Sequence, residues 1–151
     1  MALLLPMATE AEEITDEPVG FEIAYLTSFY EFDFCGDSDA GRVFRTAIVE
    51  KIKACPYSAK ARERFLGNIA LNMDALLSTL LMSAANNRSL QLKPPPEAGV
   101  NPDGSPMTCA DYLHSPPYLD LRKRLMRYAD DKIGVDEALG ESDCPSGPTA
   151  Q

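Results

Sequence analysis

Ser58 to Ala85 reads SAKARERFLGNIALNMDALLSTLLMSAA, and this stretch decides the fold class. Leu66, Ile69, Met73, Leu76 and Leu80 recur at steps of three and four, the spacing that lines one side of a helix. Ala70, Leu77 and Ala84 widen that line into a packing face, and Ser58 stands where an N-cap is needed. A helix from Ala59 to Ala85 would be about 40 Å long. Its two ends differ in chemistry. Lys60, Arg62, Glu63 and Arg64 project outward at the start, whereas Leu76 to Ala85 carries no charge and adds Leu81 and Met82 off the main line. A helix end that is apolar all round has to be covered on every side.

Upstream, Phe44, Ile48, Ile52 and Cys55 form the inner face of a helix over about Ala40 to Ala54. Asp37, Ser38 or Asp39 can cap its start, and Pro56 ends it by denying its predecessor the helical region. Earlier still, Val19, Ile23, Leu26 and Tyr30 follow helical spacing, with Asp16, Glu17 and Pro18 suited to a helix start. The rival reading is a strand, because Phe21, Ile23, Tyr25 and then Tyr30, Phe32, Phe34 alternate.

Downstream, residues 92–107 hold three consecutive prolines and the turn signal Asn101-Pro102-Asp103-Gly104, a long irregular connection. Thr108 with Asp111 forms a capping-box pattern for a short helix through Leu113. Tyr118, Leu121, Leu125 and Tyr128 then repeat the helical spacing over about Pro117 to Ile133, and Gly134 fits a C-terminal cap. The expected fold is all-α: a small bundle of four or five helices around one long central helix. Residues 1–17 are expected to be a flexible acidic arm, 18–134 the helical domain and 135–151 an acidic tail.

Charge narrows the function. The chain of 151 residues has 14 bases, 23 acids and a net charge of −9, so no whole-protein basic field exists to hold a nucleic acid or an anionic membrane. All ten acids of residues 1–41 precede the first base, Arg42. The opening MALLLPMATEAEE lacks a basic start and a long apolar run, so it is not read as a secretory leader. No apolar stretch approaches the ~20 residues of a membrane span. Cys35, Cys55, Cys109 and Cys144 contain no C-x-x-C pair and only His114 accompanies them, so no metal site or cofactor is expected. These readings point to a reducing, cytoplasmic location with free thiols.

Three chemistries compete for what remains. Cys109, Asp111 and His114 lie close enough in sequence for a nucleophile, an orienting carboxylate and a base, although the signal is weak and helix capping explains Asp111 better. Arg42, Arg45, Lys51, Lys53, Lys60, Arg62 and Arg64 with Arg122, Lys123, Arg124 and Arg127 could form a phosphate-binding stripe if the two groups converge. The apolar excess is the more informative feature. Leu76, Leu77, Leu80, Leu81 and Met82, together with Tyr118, Leu119 and Met126, offer a partner-binding face. The expectation is therefore a non-enzymatic protein-binding protein (a small subunit, adaptor, chaperone or inhibitor), self-associating as a homodimer through the long helix. A nucleic-acid regulator is the alternative, and an enzyme at Cys109, Asp111 and His114 the third.

Overall fold

The computed structural model describes residues 12–86, 101–105 and 107–145, with backbone alone for 74–86. Among these residues the fold is all-α. The elements are α1 (Val19–Ser28), α2 (Ser38–Ala54), α3 (Ala59–Asn86), α4 (Cys109–Leu113), α5 (Pro116–Ala129) and α6 (Val135–Leu139), with a π-helical turn, Phe29–Asp33, continuing α1. No helix among the described residues is long and apolar enough to cross a membrane.

The segment with two readings is helical. Pro18 opens it, its carbonyl accepting from the Phe21 and Glu22 N–H groups at 3.0 and 3.1 Å. After Ser28 the chain widens into the π-helical turn, where the Phe34 N–H donates to the Phe29 carbonyl at 2.8 Å. Gly36 ends the rod at φ 93°, a left-handed conformation that glycine adopts without a steric penalty. The alternating aromatics therefore serve several sides of one rod. Phe32 is fully buried against Phe44 and Tyr118, while Tyr25 meets Phe65 edge to face.

Among the described residues, α2 has the widest set of packing neighbours. α2 lies against α1, the π-helical turn, α5 and α6, whereas α3 packs chiefly on α1. α2 presents Ala40, Ala47, Ile48 and Ile52, none more than 3% exposed, and so has buried positions along its whole length. One core cluster joins Ile48 and Ile52 to Tyr57, Ala61, Phe65 and Ile69. A second joins Phe32 and Ala40 to Tyr118 and Leu125.

Four expectations change. The last long helix stops at Ala129, because Asp131 takes φ 57° and the Lys132 N–H returns to the Arg127 carbonyl at 2.9 Å. Gly134 consequently caps the start of α6, an element the periodicity did not announce. Second, residues 135–145 are not a loose tail. Ala138 is fully buried, and the Lys51 ammonium, only 2% exposed, donates to Asp136 at 2.7 Å and to the Glu141 carbonyl at 3.0 Å. Third, the acidic arm is fastened at its end. The Ile14 N–H donates to the Pro56 carbonyl and its carbonyl accepts from the Ser58 N–H, both at 2.8 Å, while Asn68 donates to Glu17 at 3.1 Å.

The fourth correction concerns the cysteines. Cys35 pairs with Cys109 and Cys55 with Cys144, across 74 and 89 residues of chain, so the thiols expected to be free form disulfides. Spacing in sequence could not reveal this, because folding alone brings such distant residues together.

Candidate partner surface

The described half of α3 sorts its apolar residues by side. Ala61, Phe65 and Ile69, at steps of four, are 0, 1 and 8% exposed and enter the core with Met73 beside them. Leu66 and Leu71 remain 58 and 79% exposed. The line Leu66, Ile69, Met73 is thus split: its middle is core and its edge faces solvent. Leu71 was not singled out by periodicity, although it is the one large apolar residue among Gly67, Asn68, Asn72 and Asp74, which was the available signal. Ile23 on α1 and Leu119 on α5 are also exposed, at 56 and 48%.

The three expected partner residues whose side chains are described differ in burial. Leu119 is at the surface, Met126 is partly buried against the second core cluster, and Tyr118 is 2% exposed. Tyr118 is therefore a core residue, stacked against Phe32 and Tyr112 with its hydroxyl donating to Asp37. Burial, then the Asp37 carboxylate, pushes its phenol well above the ordinary tyrosine range. The side chains of Leu76, Leu77, Leu80, Leu81 and Met82 lie outside the described residues, on the backbone of α3.

The basic residues are largely paired. Arg45 donates to Asp33 at 2.7 Å and to Ser28 at 3.0 Å, and its guanidinium lies 4.0 Å over the Phe29 ring. Arg64 faces Glu17 at 3.7 Å, Arg122 faces Asp37 at 3.0 Å, Arg124 faces Asp120 at 3.3 Å and Arg42 faces Asp39. Arg62 donates to the Cys55 carbonyl at 3.0 Å. A phosphate stripe would have to compete with these carboxylates. The surface along α2 does hold a shallow groove of about 310 Å³ lined by Tyr25, Arg42, Arg45, Thr46, Val49, Glu50 and Lys53. Glu50, which accepts from the Tyr128 hydroxyl, places a negative charge within it.

The catalytic candidate dissolves into local structure. The Cys109 sulfur is bonded to Cys35, leaving no thiolate to attack. Asp111 completes the capping box with Thr108, each accepting from the other's N–H at 3.0 and 3.1 Å. Those backbone and side-chain hydrogen bonds, the Thr108 N–H first, hold its carboxyl below the usual range. His114 Nδ1 lies 2.6 Å from the Ala110 carbonyl, one turn back along the chain.

No family model, curated protein or solved structure matches the chain. The chemistry of its own surface is what bears on function.

Proposed function

We propose that this is a non-enzymatic protein-binding protein whose binding element is α3, and that its first partner is a second copy of itself. The observation that carries the reading is the exposure of Leu71 and Leu66, at 79 and 58%, on a helix whose continuation from 75 to 86 contains no charged residue. Water-exposed leucines followed by an uncharged helix end favour a protein surface as the occupant, because burial gains about 25 cal/mol per Å² of apolar area. A two-fold pairing is the simplest closed solution for one such helix. The roles of subunit, adaptor, chaperone and inhibitor all rest on this surface.

Support for the other readings is thinner. The enzyme reading loses its nucleophile to the Cys35–Cys109 bridge, and the nucleic-acid reading draws on cations already facing carboxylates. Two disulfides also speak against the cytoplasmic location expected from sequence and favour folding in an oxidising compartment.

Sedimentation of the wild type beside Leu66→Glu/Leu71→Glu tests the proposal. The wild type is expected at twice 16.5 kDa and the double variant at the monomer mass with unchanged helicity. A wild type that is monomeric at tens of micromolar overturns self-association.

A further inference from the structure

Four cysteines can pair in three ways, and helix α2 separates those ways physically. Cys35 stands in the turn before α2 and Cys55 at its C-terminal end. Seventeen helical residues hold these ends about 25 Å apart, whereas bridged cysteines need their Cα atoms within roughly 7 Å. Each end of α2 has its own non-covalent means of collecting the right partner. At the start, Asp37 accepts from Tyr118 and Arg122 of α5, which brings the α4–α5 region and Cys109 to Cys35. At the far end, Lys51 holds Asp136 and the Glu141 carbonyl, and the Tyr57 hydroxyl donates to the Pro145 carbonyl, setting Cys144 beside Cys55. Cys35–Cys55 would join the two ends of α2 and is incompatible with that helix, while Cys35–Cys144 with Cys55–Cys109 would make the tail and the α4–α5 region exchange ends of α2 against these contacts.

The unfolded chain has the opposite preference. Cys35 and Cys55 are about 20 residues apart, and loop closure favours such a loop over the native 74-residue one about sevenfold. Cys109 and Cys144, about 35 residues apart, gain about fourfold over the native 89-residue loop in the same way. We infer that this chain is a folding client of a dithiol–disulfide isomerase: α2 and the contacts at its two ends admit one pairing, and a chain oxidised before they form must be reshuffled to reach it. Forming each bridge releases two protons and two electrons to an oxidant such as glutathione disulfide, which leaves as two thiols. Reshuffling is redox-neutral. A catalyst thiolate attacks one sulfur of the wrong bridge, the released chain thiolate attacks the other wrong bridge, and the last exchange returns the catalyst thiolate. The inference stands apart from the partner-binding proposal, since it concerns the cysteines, α2 and the contacts at its two ends and makes no use of α3.

The test uses the full chain, reduced and then oxidised with glutathione disulfide either in denaturant or in native buffer, with bridges mapped by mass spectrometry of unreduced peptides. Oxidation in denaturant is expected to yield mainly Cys35–Cys55 and Cys109–Cys144, with most helical circular dichroism missing after denaturant is removed. Oxidation in native buffer is expected to yield Cys35–Cys109 and Cys55–Cys144. Adding a protein disulfide isomerase to the scrambled chain should restore helicity and native pairing together, about tenfold or more faster than glutathione alone. Scrambled chains with full native helicity would overturn the role of α2. Conversion to the native pairs as fast without the isomerase as with it would overturn the client assignment.

Discussion

Gly41 shows how much a single missing methyl group can decide. A Cβ there would lie 2.6 Å from Asp33 Oδ2 and 2.9 Å from Phe32 Cβ, with Arg45 Nη1 at 3.1 Å. The glycine therefore lets α2 approach the π-helical turn and leaves room for the Asp33–Arg45 pair. Alanine is the better helix former by about 1 kcal/mol, so Gly41→Ala would stabilise if propensity ruled. Close packing reverses the sign: a net loss of about 1–3 kcal/mol is expected from urea denaturation. Tyr118 supplies a pH prediction. Its phenol, like those of Tyr57 and Tyr128, is held above the ordinary range in the folded state, chiefly by burial. The unfolded chain then releases these protons first, and stability falls as pH rises through about 10. Tyr118→Phe should flatten that alkaline decline in denaturation midpoints measured at successive pH values, even if the variant is weaker at neutral pH through loss of the Asp37 hydrogen bond.

At the scale of elements, α3 tests whether its two sides are assigned correctly. Ile69→Glu places a charge in a position only 8% exposed and should remove several kcal/mol, enough to unfold a domain of ordinary stability. Leu71→Glu, two residues on but 79% exposed, leaves the core untouched and, at chain concentrations low enough for the wild type to be monomeric, should change stability by no more than about 0.5 kcal/mol. Thermal melts of the two variants would expose an error in the register, because a shift of the helix face would exchange their behaviour. Helices were legible in sequence wherever periodicity and punctuation agreed. Ile48 and Ile52 of α2, the Thr108–Asp111 capping box and the buried Leu125 of α5 all follow from patterns a few residues long. The pattern could not say which helices pack on one another, since that depends on packing between faces rather than within them. α6 escaped because a helix of five residues is too short to show a period. Tyr118, expected on the partner face, is buried for a related reason: Asp37, 81 residues away, accepts from its hydroxyl.

On the scale of the whole molecule, the two ends of the described chain meet at the α2–α3 connection. Ile14 lies on Pro56 and Ser58 from one direction, and Cys144 and Pro145 reach Cys55 and Tyr57 from the other. The tail therefore has two kinds of attachment, covalent and polar, and they fail under different conditions. Removing the Cys55–Cys144 bridge frees an 89-residue loop in the unfolded chain, which by loop entropy is worth about 3–5 kcal/mol. Without that bridge the tail is left with non-covalent attachments, among them the Lys51 contacts to Asp136 and Glu141, so it should open locally before the domain unfolds. Cys55→Ser/Cys144→Ser is accordingly expected to lower the melting temperature and to speed amide exchange first in residues 135–145, with α2 protected longer. Adding a reducing agent to the wild type removes the second bridge as well and should leave a marginal or unfolded chain. A reduced protein that melts at the oxidised temperature would mean that the packing around α2 holds the fold without either bridge.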